Sequence, residues 1–290
     1  MKPAPFQYFQ PATVDEALAI LHRYQPGARI LAGGQSLVPL MNFRRARPEY
    51  LIDINHLEDL RYIRENANIV CIGAMVRQTE IEKSELIAAK CPILAEATRY
   101  IGYRAVRNRG TIGGSLAHAD PSAEYPAVLL AADGEITARG PRGARQIGAE
   151  EFFVDTCVTA LQPDEILTEV RLPALTSNQQ WSFLEHSRGY STIATVGVAA
   201  LITLDKNKRC AAVRIAVAGA GTTPLRCREA EDLLSGQRPT AALIKKAAAA
   251  SAAVLQPSIE LQAPAAYKQA MAKVYIERAV KAAVGQGRVA

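Results

Sequence analysis

The sequence predicts an α+β protein: two small α/β subdomains in succession, followed by a domain with an antiparallel sheet and helices. Three observations carry that expectation. Two glycine pairs, Gly33-Gly34 and Gly113-Gly114, stand about eighty residues apart, each bordered by its own strand and helix patterns. A short polar stretch from 174 to 180 has no periodicity and marks a domain boundary. Beyond it, two runs rich in Val, Ile, Ala and Leu flank the charged turn Lys206-Asn207-Lys208.

Taken in order, Thr13-Val14-Asp15-Glu16 sets a hydroxyl at the N-cap and a carboxylate three residues later, a capping box. Val14, Ala17, Leu18 and Leu21 then recur at helical spacing, so the first helix is amphipathic. Arg29 to Ala32 is a short strand that delivers the chain to the first glycine pair. Tyr50 to Ile54 and Asn68 to Met75 are further strands. Thr79 with Glu82 repeats the capping-box pattern, and Pro92 stands where a proline in first position starts a helix that ends near Gly102. Asp120-Pro121-Ser122-Ala123-Glu124 also reads as a helix start, with Asp120 as N-cap and Pro121 in first position. Past the boundary, Thr195 to Asp205 and Arg209 to Ala220 form a hairpin. Thr240 begins an alanine-rich helix, and Pro264 begins a last one that runs toward Gly285. The domains are placed at 1–176 and 177–290.

Composition narrows the class. The 290 residues are 49% hydrophobic and 21% charged, ordinary for a soluble globular chain. The net charge of +6 is dispersed and only 6% of residues are aromatic, which argues against the basic stripe with stacking aromatics that nucleic-acid binding needs. No apolar stretch approaches the roughly 20 residues of a membrane span, and Met1-Lys2-Pro3-Ala4-Pro5 leads into no signal-peptide core. A cytoplasmic protein is expected. Cys71, Cys91, Cys157, Cys210 and Cys227 are scattered, with no C-x-x-C pair and no histidine at ligand spacing. Buried free thiols are expected, and any iron–sulfur cluster would sit on a partner.

A glycine reaches positive φ without a Cβ clash and lets the backbone approach a phosphate, where successive N–H groups form an anion-binding nest. A pyrophosphate needs such donors from two directions, and a pair of loops supplies them. Either loop alone is equally a tight turn. Neither has the G-x-G-x-x-G spacing or the G-K-S/T ending of the ordinary Rossmann and Walker sites. There is no G-x-S-x-G elbow, no H-E-x-x-H and no patterned cysteine–histidine pair. The hard chemistry therefore belongs to a cofactor.

The segments Leu31 to Leu40 (LAGGQSLVPL), Asp53-Ile54, Arg107 to Ser115 (RNRGTIGGS), Ala119-Asp120-Pro121, Glu151-Phe152-Phe153 and Asp164 to Leu167, ending at Leu172-Pro173, carry a resemblance. In order and spacing over about 170 residues the chain resembles the FAD-binding medium subunits of the molybdenum hydroxylases, such as carbon monoxide, nicotine and caffeine dehydrogenase. Xanthine dehydrogenase carries a related flavin domain. The resemblance implies a PCMH-type FAD-binding fold followed by the C-terminal domain of these flavoproteins. It also implies FAD on this chain, a molybdenum-pterin cofactor on a large subunit and two 2Fe–2S clusters on a small iron–sulfur subunit. Substrate would be oxidised at the pterin centre, and electrons would pass through the clusters to the FAD and on to an external electron acceptor. Two heterotrimers would assemble into a heterohexamer. A relative that reduces hydroxybenzoyl-CoA carries an inserted cysteine cluster, which this sequence does not have.

On that resemblance the cofactor-binding residues are Leu31, Ala32, Gly33, Gly34, Gln35, Ser36 and Leu37 in the first loop and Thr111, Ile112, Gly113, Gly114 and Ser115 in the second. Their amides would hold the pyrophosphate, with the hydroxyls of Ser36, Thr111 and Ser115 as further donors and no lysine required. Asp120 and Glu124 would accept from ribose or ribityl hydroxyls, or else serve as the acids of a helix start. Leu167 and the stretch from Glu185 to Ile193 would approach the isoalloxazine ring. That stretch departs from the arginine pair and Gly-Asp of many relatives, and Tyr190 within it is either a ring cover or an exposed loop residue. His118 is a loop hydrogen-bonder or a proton donor. Two other readings stay open: a self-contained flavin oxidoreductase of the same fold, similar to the enolpyruvyl-UDP-N-acetylglucosamine reductases, and a non-catalytic nucleotide-binding or assembly protein.

Overall fold

Three larger sheets follow one another along the chain in the computed structural model, which describes residues 2–189, 192–257 and 263–285. The first is parallel, with strand order Gln7–Phe9, Tyr50–Asp53, Ala28–Leu31. The helix Val14–Tyr24 connects its outer strands, and Thr13 Oγ1 accepts from Glu16 N at 3.1 Å as the cap expected. Glu16 closes the box on Ala12 N at 2.7 Å, one residue earlier than the pattern implied. Val14, Ala17, Leu18 and Leu21 are buried against Ala28, Ile52 and Ile54.

The second sheet is antiparallel throughout, in the order Ile63–Asn66, Ile69–Gly73, Ile166–Pro173, Glu135–Gly140, Gly143–Gly148. The chain leaves it after Gly73, builds the helices between Gln78 and Ala131, and returns for the last three strands. Pro92 occupies the first turn of the helix Pro92–Tyr100, and Gly102 follows at φ +43, as expected. Two helix starts differ from the sequence reading. Arg77, not Thr79, caps the helix Gln78–Lys83, and Glu80 accepts from its backbone N–H at 2.8 Å. Asp120 is not an N-cap: it accepts from Ser122 N at 2.9 Å in an Asx turn, and the helix Glu124–Ala131 starts after an extended Ala123.

The third sheet runs Gln179–Ser187, Ala194–Leu204, Cys210–Ala218, Leu225–Arg226, again antiparallel. Its central hairpin is the one expected, with Asp205 Oδ1 accepting from Asn207 N and Arg209 N at 2.8 and 2.7 Å. The strand Gln179–Ser187 is an addition that overlaps the polar boundary stretch. Thr240 caps the helix Ala241–Val254, while Pro264 is the N-cap of Ala265–Ala283 rather than its first residue.

The strand Ala194–Leu204 is buried on both faces, which explains its nearly continuous apolar run. Ala199 and Leu201 belong to the middle core with Tyr125 and Leu129. Val196, Val198, Ala200 and Ile202 pack against Ile244, Ala248 and Ile276 of the C-terminal helices. At roughly 1.5–3 kcal/mol for each fully buried Val, Leu or Ile, this two-sided contact fixes the C-terminal sheet to the helices that border the glycine loops. Four cysteines are buried free thiols, but Cys157 is exposed, held at φ +56 in a surface turn where no core covers it. Among the described residues no helix is long and apolar enough to cross a membrane.

Candidate cofactor site

The strand Ala28–Leu31 ends against the second loop, and the chain turns away through Gly33 and Gly34 into the short helix Leu37–Asn42. A Cβ on Gly33 would collide with the Arg109 carbonyl and the Gly110 backbone, so glycine is what lets the loops touch. Gly34 sits at φ +73, which an L side chain rarely adopts. The turn leaves the amides of Gly33, Gly34, Gln35, Ser36 and Leu37 with no acceptor among the described residues. Five consecutive donors without a protein partner are what an anion nest requires.

The second loop behaves differently. Thr111 caps the helix Ile112–His118, its Oγ1 accepting from Gly114 N at 3.0 Å. Ile112 N donates to Val76 O at 3.2 Å, Gly113 N to Ala74 O at 3.0 Å and Ser115 N to Thr111 O at 3.1 Å. The amides of Ile112, Gly113, Gly114 and Ser115 thus already have acceptors in the neighbouring strand end and the helix, which leaves that of Thr111 as the loop's one amide without an acceptor among the described residues. What the loop offers is the hydroxyls of Thr111 and Ser115 and the positive end of a short helix.

A cavity of about 780 Å³ runs along both loops. It is lined by Ala32, Gly33, Gly34, Gln35, Ser36 and Leu37, by Thr111, Gly113, Gly114 and Ser115, and by Asp120, Glu124 and Leu167. His118 and the segment Thr192 to Ala194 line it as well. Leu31 instead lines a second hollow of about 370 Å³ behind the first loop, with Asp53, Asn55 and Arg109. Ile112 lines neither: it is 1% exposed, and its side chain belongs to the core. Glu185 stands outside the lining too, on the strand Gln179–Ser187 opposite Gly197. Tyr190 lies outside the described residues. Gln78, Val106 and Cys157 line the cavity without any sequence signal, because non-local packing brings them there.

Two acids near the cavity have displaced ionisation. Burial, reinforced by the charge of Asp120, pushes Glu124 up to about 7. Burial and then the charge of Glu124 push Glu185 up to about 9. Glu124 thus faces the cavity with its ionisation displaced toward neutrality. Asp53, behind the first loop, goes the other way: burial alone would raise it, but hydrogen bonds from Tyr8 at 2.5 Å and from Asn55 N at 2.9 Å outweigh burial and lower it.

A parallel and an antiparallel subdomain meeting at two glycine loops over such a cavity define a dinucleotide-binding flavoprotein. The residues present fit FAD: the free amides suit a pyrophosphate, and the volume lies within the range of natural ligand sites. Residues 4–175 match the FAD binding domain in molybdopterin dehydrogenase, and residues 181–283 match the CO dehydrogenase flavoprotein C-terminal domain. The chain belongs to this family of FAD-binding subunits of molybdenum hydroxylases. It is 40% identical to the 6-hydroxypseudooxynicotine dehydrogenase complex subunit alpha of Paenarthrobacter nicotinovorans, across 99% of this chain and 97% of that one. It is 38% identical to the carbon monoxide dehydrogenase medium chain of Hydrogenophaga pseudoflava, across 98% of each. The solved carbon monoxide dehydrogenase from the same organism superposes with a TM-score of 0.96, at 38% identity and covering 99% of both chains. Quinoline 2-oxidoreductase from Pseudomonas putida 86 superposes at 0.94, with 32% identity and 99% of both chains covered.

Proposed function

We propose that this chain is the electron outlet of a molybdenum hydroxylase, with the FAD pyrophosphate seated on the amides of Gly33 to Leu37 and faced by the hydroxyls of Thr111 and Ser115. The single observation that carries this placement is the run of five unpaired amides on a cavity that the second loop also lines. Asp120 accepts from a ribityl or ribose hydroxyl, Glu124 faces the same space, and Leu167 packs against the ring. When bound, FAD supplies a two-electron carrier that no side chain here provides. The small subunit's 2Fe–2S clusters deliver the electrons, the large molybdopterin subunit oxidises the substrate, and an external acceptor takes the electrons from this chain. Substrate choice sits on the large subunit. The complex is a cytoplasmic heterohexamer of two heterotrimers, and the flavin domain ends near 176.

The test is to purify the chain with whatever accompanies it, record the absorption spectrum, and release any yellow chromophore with acid. FAD with a large molybdenum subunit and a small iron–sulfur subunit is the expected result. A colourless chain that takes up no added FAD would overturn the proposal.

A further inference from the structure

Glu124 opens the helix Glu124–Ala131 and faces the cavity beside Asp120 and Leu167. Glu185 stands behind it, and its Oε2 is buried without a hydrogen-bond partner. The charge of Glu124 acts directly on Glu185. The other titratable groups facing the pair are Asp120 on the cavity side, the buried Tyr125 next to Glu124 on its own helix, and Tyr100 of the helix Pro92–Tyr100, with Tyr275 of the helix Ala265–Ala283 facing Tyr100 in turn. Among the described residues no lysine, arginine or histidine forms an ion pair with either carboxyl. Two half-buried acids without a cation, one with a buried and unpartnered carboxyl oxygen, favour holding protons over charge.

The electron path gives such protons a use. Iron–sulfur clusters pass electrons alone, whereas a flavin that gains two electrons also gains one or two protons. Those protons come from the flavin subunit or from solvent reaching it. Resting on the function proposed above, we propose that the Glu124–Glu185 pair is the proton store of the flavin site. Glu124 would release the proton of its O–H group to the flavin, one proton against the two electrons that arrive from the clusters. It recovers the proton when the external acceptor withdraws the electrons, so protons and electrons balance over the cycle. Glu185 stays protonated throughout and keeps a second negative charge away from Glu124. The two carboxyls suit these roles, because Glu124 exchanges its proton near neutrality while Glu185 retains its own.

The experiment compares the FAD-loaded complex with its Glu124→Gln and Glu185→Gln variants. FAD content is measured first, then redox-induced infrared difference spectra and the rate of flavin reduction against pH. In the unmodified complex, a protonated-carboxyl band should disappear on reduction and titrate away through about pH 7. Glu124→Gln should keep its FAD, lose the band and reduce its flavin roughly a hundredfold more slowly below that pH. Glu185→Gln should keep the band and lose only an alkaline phase near about 9. Full FAD with an unchanged band and rate in Glu124→Gln would overturn the inference and leave the proposed function standing. Loss of FAD in that variant would overturn it too, making Glu124 a required ligand. If the variants do not fold, the unmodified complex decides: no protonated-carboxyl band sinks the idea. A complex without FAD refutes the proposed function instead.

Discussion

Asn55 and Arg77 meet at 2.6 Å, Oδ1 to Nη2, between the two glycine loops. Asn55 Nδ2 donates to the Ala32 carbonyl at 2.8 Å, and Arg77 Nη1 donates to the Arg109 carbonyl. The pair ties the backbone entering one loop to the backbone entering the other. Removing Arg77 leaves the part-buried Asn55 Oδ1 without its donor, at a cost of about 1–3 kcal/mol, while the exposed Arg109 carbonyl turns to water. Arg77→Ala is expected to melt lower and to bind FAD about tenfold more weakly, as calorimetric titration would read. Unchanged affinity would mean that the clamp holds the fold and not the site.

The neighbouring glycines of the second loop should separate packing from binding. A Cβ on Gly113 would stand 2.6 Å from the Ala74 Cβ, inside the core, whereas one on Gly114 would meet the Thr111 hydroxyl at 2.8 Å and the Ala32 Cβ at 3.5 Å, on the cavity side. Gly113→Val is expected to destabilise the flavin-free chain by at least the 1–3 kcal/mol typical of overpacking, roughly, and to lower its urea midpoint. Gly114→Val and Gly34→Val should keep their circular dichroism and lose acid-releasable FAD. At Gly34, positive φ adds about 1–2 kcal/mol of backbone strain. Full flavin occupancy in both would remove the proposed site.

Sequence chemistry reached as far as local rules extend. The cap at Thr13, the proline at 92, the hairpin turn at Asp205 and the two glycine loops are set by residues a few positions apart, and each was legible. The strand Gln179–Ser187 was not, because an edge strand half open to water carries Gln, Ser, Glu and His that read as a linker. Nor was the central strand Ile166–Pro173, whose partners lie more than twenty residues away on one side and nearly a hundred on the other. Two of the second loop's amides were hidden for the same reason, Ala74 and Val76 accepting from Gly113 and Ile112 across the fold, while Thr111 takes those of Gly114 and Ser115 within the loop. Asn55 lies just beyond the recognised Asp53-Ile54, and Arg77 lies in no motif, so the clamp needed coordinates to be seen.

The raised acids make stability depend on pH in a definite direction. A carboxyl whose folded pKa exceeds its unfolded value binds a proton that the unfolded chain has released, so its contribution is whole below the unfolded value and is lost as pH rises through the folded one. For Glu124 and Glu185 that window runs from about 4.3, the ordinary glutamate value, to about 9. Asp53, Glu165 and Glu169 are lowered, and their contribution is lost only on acidification through their depressed values. Thermal melts of the flavin-free chain should therefore peak near about pH 5 and decline toward pH 9, and Glu185→Gln should flatten the decline. A slope equally steep in that variant would place the alkaline sensitivity elsewhere.

Arg226 binds the C-terminal sheet to the middle of the molecule. Its Nε and Nη2 meet Glu231 Oε1 and Oε2 at 2.7 and 2.9 Å, and its Nη1 meets Asp133 Oδ1 at 2.8 Å, just past the helix Glu124–Ala131. The side chains of Arg226 and Glu231 are each 8% exposed, and Glu231 Oε1 also accepts from Ile215 N at 2.8 Å. Arg226→Ala strands a buried carboxylate, with only the half-exposed Arg228 at 3.5 Å left to face it. The expected loss is about 3–5 kcal/mol in urea unfolding. The double change Arg226→Met with Glu231→Leu should recover part of that loss, because it removes the orphaned charge along with its partner. Neither change touches the amides of Gly33 to Leu37, so FAD content at ordinary temperature should stay near that of the unmodified chain. Loss of FAD in the folded double variant would instead mean that this ion pair sets the position of Glu124, at the opposite end of the same helix.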